Sequence, residues 1–147
     1  MNYITKDNIY TQSWNNLYEV ISNNVTDPKS RGVKWIFSAF PDVKKPNFPG
    51  YPIITITPTD LSITNINLAR DMREETYRYP IDIFSKSSQE VDELANSIIK
   101  ALTDNEIELA KYGMKRMSIA SSAITNYRIE NNKIHNRTII AEFKRID

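Results

Sequence analysis

Between Tyr77 and Leu102 the apolar residues change period within one unbroken run. Tyr77, Tyr79, Ile81 and Ile83 alternate with more polar neighbours, which places them on one face of a strand. Val91, Leu94, Ala95, Ile98 and Leu102 then recur at the spacing of a helical stripe. Between the two patterns Ser87 and Glu90 form an S-x-x-E capping box, the usual opening of a helix. The junction predicts one helix laid across one face of a sheet. Burying the four large residues of the stripe contributes roughly 6–12 kcal/mol before entropy is subtracted.

The rest of the chain reads in the same way. Tyr10, Trp14, Leu17 and Ile21, widened by Val20, predict a helix from about Asp7 to Asn23, which Asp27-Pro28 brings to an end. After a turn over Asp27–Gly32, Lys34–Phe40 reads as a strand with Trp35, Phe37 and Ala39 on one face and Ile36, Ser38 and Phe40 on the other. "PDVKKPNFPGY" is too rich in proline for a central strand and reads as an exposed loop. Tyr51–Thr57 is a strand, ended by Pro58. Leu61–Glu75 alternates weakly and stays open between a long flexible loop and an irregular strand. Thr103 and Glu106 form a second possible capping box, opening a short helix that ends at Gly113 in a left-handed conformation. Met117–Tyr127 reads as a strand, Glu130–Lys133 as a turn, and Ile134–Ile146 as the last strand, with Ile139, Ala141 and Phe143 on one face. Strands broken by one or two helices predict an α+β fold over residues 1–147: a single domain with a mainly antiparallel β-sheet and helices packed on one face.

Composition narrows the function classes only a little. The chain has 147 residues, 40% hydrophobic and 25% charged, with a formal charge of +1, so no global field draws it toward nucleic acid or membrane. It contains no cysteine, which excludes disulfides, thiolate nucleophiles and cysteine metal sites. The N-terminal residues lack a basic segment followed by an apolar one, and no apolar run approaches the length of a membrane span. The expectation is a protein used without export and without a membrane partner. Asn24-Val25-Thr26 and Asn136-Arg137-Thr138 match the glycosylation acceptor pattern and are read as chance matches.

The residues that carry chemistry are scattered. His135 is the only histidine, so a histidine-based metal site cannot form, and it reads as a solvent-edge or hydrogen-bonded structural residue. Asp82 interrupts an apolar strand but has no partner carboxylate in the pattern, and reads as an outer-face residue beside Arg78. Gly32, Gly50 and Gly113 are isolated, so no phosphate-cradling loop is present. Ser121-Ser122 lacks the glycine pattern of a nucleophile elbow. Between Asp27 and Pro46, Lys29, Arg31, Lys34, Lys44 and Lys45 outnumber Asp27 and Asp42, which reads as a solvated loop pair or as a surface facing phosphate. The aromatics Trp35, Phe37, Tyr77 and Tyr79 read as core rather than a base-stacking platform. The expectation is a protein that is not an enzyme and binds no cofactor or metal.

Four segments resemble the tail terminator (tail completion) proteins of long-tailed phages: the helix around "WNNLYEVISNNV", the loop and strand "FPGYPIITITPTD", the strand-turn-helix "YRYPIDIFSKSSQEVDELANSIIKAL", and the closing strand "KIHNRTIIAEFKR". The resemblance implies a virion structural protein, assembled in the host cytoplasm, that forms a ring, commonly a hexamer, at the head-proximal end of the tail. Its implied partners are further copies of itself, the tail tube protein and a head–tail connector protein, with DNA passing through the lumen without specific binding. Ring contacts of this kind are heterologous. The loops Pro41–Gly50 and Asp60–Glu75 are the expected interface segments, with Lys44, Lys45, Phe48, Tyr51, Leu61, Ile63, Arg70 and Arg73 as the candidate residues. Another head–tail connector or neck protein, or a non-viral α+β protein-binding module, fits the same pattern of elements.

Overall fold

The computed structural model describes residues 1–57, 61–66, 68–69 and 72–146. In chain order its elements are α1 (Ile9–Asn24), β1 (Ile36–Phe37), β2 (Ile53–Ile56), β3 (Leu61–Asn65), β4 (Arg73–Ser85), α2 (Ser88–Asp104), α3 (Glu106–Lys111), β5 (Lys115–Ser121), β6 (Thr125–Ile129) and β7 (Asn132–Ile146). The fold is α+β, with a 7-stranded, mostly antiparallel sheet of order β1-β2-β4-β7-β5. Its backbone is the long antiparallel pair β4 and β7, which runs from Glu74 opposite Ile146 to Ser85 opposite His135.

Each long strand is flanked by a divided one. On the outer edge of β4, β2 ends with Ile56 opposite Ile81, and β3 begins with Leu61 opposite Tyr77. On the outer edge of β7, β5 ends with Ser121 opposite Ile139, and β6 begins with Thr125 opposite Asn136. The strand expected over Met117–Tyr127 is therefore broken. At the break, Ser122 donates its N–H to Thr138 O (2.9 Å), while its hydroxyl accepts the Thr138 N–H (3.0 Å). A side-chain oxygen thus takes the place of a backbone carbonyl in the ladder. The segment Leu61–Glu75, open in the sequence, forms β3 and the start of β4, paired from Leu61 opposite Tyr77 to Asn65 opposite Arg73.

The core lies under the helices. Tyr77, Tyr79, Ile81 and Ile83 of β4 share a face with Ile139, Ala141 and Phe143 of β7. All are buried with Val91, Leu94, Ala95, Ile98 and Leu102 of α2 and Leu17, Val20 and Ile21 of α1. Ser87 caps α2 by accepting the Glu90 N–H (3.4 Å). The return half of the box passes through Ser85, whose hydroxyl donates to the Glu90 carboxylate (2.6 Å) and accepts the Ser87 N–H (3.1 Å).

Three further expectations change. The buried face of α1 is Ile9, Ser13, Asn16, Leu17, Val20 and Ile21, and Tyr10 is exposed. The helix is turned so that its buried polar residues find partners: the Ser13 hydroxyl bonds the Tyr79 hydroxyl, and Asn16 holds Asn2 through both its backbone N–H (3.1 Å) and its carbonyl (2.9 Å). Truncating Asn16→Ala leaves those groups unpaired and should cost about 1–3 kcal/mol in urea-unfolding free energy. The strand expected over Lys34–Phe40 shrinks to Ile36–Phe37, because Phe40 leaves it to pack edge-on against Phe84 (4.8 Å). The second capping box does not form. The α2 helix continues through Thr103, and Asn105, the N-cap of α3, sends its amide to Ala101 O (2.8 Å) instead. The close of α3 is as expected: Gly113 has φ +100°, with Gly113 N–H on Ala110 O (3.1 Å) and Met114 N–H on Leu109 O (3.0 Å).

The β6–β7 hairpin closes over Glu130 and Asn131, at φ +50° and +64°, with Ile129 opposite Asn132. Two consecutive left-handed residues are the geometry of a type I′ turn, which favours Asn-Gly. The double substitution Glu130→Asn/Asn131→Gly should therefore raise stability by about 1 kcal/mol, read as a higher urea midpoint at unchanged slope.

Candidate functional site

The feature that departs most from an ordinary monomer surface is the β3–β4 hairpin. From Leu61 to Ala69 the chain has no charged residue, and the hairpin is closed by Ile66 N–H on Met72 O (3.1 Å). Leu61 packs against the core. Beyond it the alternation continues without cover: Ile63 is 54% exposed, Ile66 and Met72 each 44%, and Leu68 fully. Single exposed apolar residues need no explanation, but several on one hairpin make an uncovered apolar surface. The base of the hairpin is held by charge, with Glu75 on Arg145 (3.3 Å) and Glu74 on Lys144 (3.1 Å).

The expected interface residues separate into two places. Leu61, Ile63 and Arg73 belong to this hairpin, with Arg73 exposed at the start of β4. Lys44, Lys45, Phe48 and Tyr51 lie toward the other end of β4, where Phe40 packs on Phe84. Arg73 and Phe84 are about 35 Å apart along the strand. Lys44 and Lys45 are exposed. Phe48 and Tyr51 are half-buried and meet edge to face (5.5 Å), and Tyr51 also faces Phe40 (6.4 Å) and the Lys86 ammonium (5.9 Å). Burial, then the charge of Glu130, raises the Tyr51 hydroxyl above its ordinary pKa. The proline-rich segment is thus a loop whose lysines face outward and whose aromatics fold back on the sheet. Arg70, like Pro58 and Asp60, lies outside the described residues. Ile66, Leu68 and Met72 escaped the sequence reading, although the uncharged run that holds the first two was visible there.

Both lateral edges of the sheet are open. Among the described residues, β3 pairs only with β4, and β5 and β6 pair only with β7. An open edge presents unpaired backbone donors and acceptors to another strand.

Against these surfaces the chain can be compared with known proteins. Among solved structures it is similar to a chain in the virion of a native gene transfer agent particle. The TM-score is 0.44 at 9% sequence identity, over 86% of this chain and 92% of that chain. No family model and no curated protein matches it.

The remaining candidates take structural places. Asp82 points to the outer face, accepting the Thr138 hydroxyl and an Asn136 amide N–H (3.4 Å), while Arg78 bonds Glu142 (2.7 Å). His135 is half-buried in β7 opposite Ser85 and Asn126. An open groove of about 390 Å³ lies between Tyr10, Thr11, Trp14 and Asn15 of α1 and Ser38. The Trp14 indole N–H bonds Ile56 O (2.6 Å) at its floor. No helix is long and apolar enough to cross a membrane among the described residues.

Proposed function

We propose that this protein is a structural component of a phage-type tail, a tail terminator whose copies close into a ring on the head-proximal end of the tail tube. Its action is assembly rather than catalysis: subunits associate, the ring ends tube growth, and its upper surface receives the head–tail connector. DNA crosses the lumen without sequence-specific contact. The observation that carries this reading is the exposed apolar hairpin, because four large apolar side chains on a solvated hairpin gain free energy only by being covered. The four sequence segments that resemble tail terminators supply the identity of the assembly, and the hairpin supplies a surface with which to build it. Loop residues Lys44 and Lys45 are assigned to the contacts with tube or connector.

Light scattering on a sizing column, with negative-stain images of the peak, tests the reading. Rings of about six subunits that bind the ends of tail tubes purified from the parent particle are the expected result. A monomer that neither closes nor binds tube ends would exclude it. Leu68→Glu places a charge on the hairpin without touching the core. It should shift the ring to monomer while leaving the thermal midpoint within about 2 °C of the parent, since surface changes stay within about 0.5 kcal/mol.

A further inference from the structure

Ring formation leaves open which surfaces of neighbouring copies meet, and here the two open edges are informative. Soluble proteins protect edge strands with charge, proline or a bulge. Strand β3, Leu61–Asn65, has no charge and no proline. On the opposite edge, β5 has a bulge between Lys115 and Ser118, with Arg116 at φ +51°. Beyond that bulge, Met117–Tyr127 has no charged residue and no proline. One sheet therefore carries two unprotected edges on opposite sides of the molecule.

The two edges are complementary in direction and in face. Strands β3 and β7 both run antiparallel to β4, and β5 runs antiparallel to β7, so β5 is antiparallel to β3. A neighbouring copy turned about an axis to which the strands are tilted brings its β5 beside β3 in antiparallel pairing. Register places side chains on matching faces. Leu61 and Ile63 lie opposite Tyr77 and Glu75, on the helix side of the sheet. Ile119, opposite Ala141, lies on that side too, and it and Met117 pack against the core. Ser62 and Thr64 share the outer face with Ser118 and Ala120. Joining the edges sets apolar beside apolar and small polar beside small, the pairing that stabilises adjacent strands. The edges are also stepped: β3 lies against Arg73–Tyr77 of β4, whereas β5 faces the part of β7 opposite Thr76–Ile81. Strands in a closed sheet are staggered in this way.

We infer that β3 of one copy adds to β5 of the next, so that the ring is closed by one continuous intermolecular β-sheet. This rests on the ring reading above and names the contact within it.

Backbone direction supplies the test. Ser122 N–H bonds Thr138 O, so in β5 the alternate residues Ile119 and Ser121 aim their N–H groups away from β7. Likewise Ile66 N–H bonds Met72 O, so Ile63 aims its N–H away from β4. Proline at such a position removes only the outward donor. Ser121→Pro and Ile63→Pro should each keep the far-UV spectrum and a cooperative melt while converting the ring to monomer. Because the chain has no cysteine, a second measurement is available if either variant folds poorly. The double variant Ile63→Cys/Ser121→Cys, treated with a short bis-maleimide, should give a ladder of covalent oligomers ending at ring size, while each single variant stays monomeric on a denaturing gel. Rings that persist in both proline variants without a ladder would overturn the edge pairing and leave the ring standing. Dimers from the Ile63→Cys variant alone would overturn it in favour of a two-fold contact. A parent protein that stays monomeric at every concentration would remove the ring and the pairing together.

Discussion

Leu94→Asp should abolish folding, the largest effect expected of any single change in this chain. Leu94 is 4% exposed and belongs to the stripe of α2 that closes on β4 and β7. Two costs add there. Loss of the side chain from a packed core costs about 2–5 kcal/mol, and a carboxylate without a partner adds several kcal/mol more unless it is neutralised. Domains of this size are stable by about 5–15 kcal/mol, so the sum reaches the whole margin. The expected result is loss of the cooperative urea transition and of native far-UV signal, with the chain recovered largely from the insoluble fraction. Asn96→Asp, on the exposed side of the same helix, should fold like the parent. A Leu94→Asp protein with a normal transition would show that the helix is turned relative to the sheet described above.

Where one rule decided the structure, the sequence was sufficient. The β4–α2 unit is legible because a change of apolar period, a capping serine and a single buried face all point the same way. Gly113 is legible because only glycine enters the left-handed region without strain while its neighbour Ile4 sits 3.4 Å from where a Cβ would be. The failures lie where distant groups compete. The face of α1 is set by the Tyr79 hydroxyl and by Asn2, partners whose positions no local pattern encodes. The short β1 follows from an aromatic contact between Phe40 and Phe84, far apart in sequence. The break between β5 and β6 follows from Ser122 entering the ladder with its side chain. For the expected interface, loop length selected two segments, and one of them folds as the apolar hairpin. In the other segment prolines hid the inward turn of Phe48 and Tyr51, because turn chemistry reports that a chain bends and not what it bends toward.

Arg31→Ala should be the most damaging change outside the core, lowering stability by about 3–5 kcal/mol, the cost of removing one partner from a largely buried ion pair. In sequence Arg31 is one of five basic residues on a polar stretch. In the structure it is a hub. Its Nε and Nη2 bond the two Asp27 carboxylate oxygens (2.9 and 3.1 Å), Nη1 bonds Gly50 O (2.7 Å), and Nη2 also reaches Pro52 O (2.8 Å). The guanidinium lies 5.4 Å from the centre of the Trp35 ring. One side chain thus ties the turn after α1 to the entry of β2, with 12% exposure for Arg31 and 10% for Asp27. Lysine has no planar fork and cannot serve these acceptors together, so Arg31→Lys should recover less than half of the loss. Acid supplies an independent reading. Burial alone would raise the Asp27 carboxyl, but the Arg31 side-chain bond, the backbone N–H groups of Lys29 and Arg31, and the Arg31 charge outweigh it and hold it below 3.8. A carboxyl depressed by folding contributes its full stability above its unfolded value and loses it as pH falls through the folded value. The parent should therefore lose this contribution below about pH 4, and Arg31→Ala should lose less over the same window. Urea midpoints at neutral pH and near pH 3 should bring the two proteins closer together in acid. Equal spacing at both values would show that the Asp27–Arg31 pair is not what holds the turn.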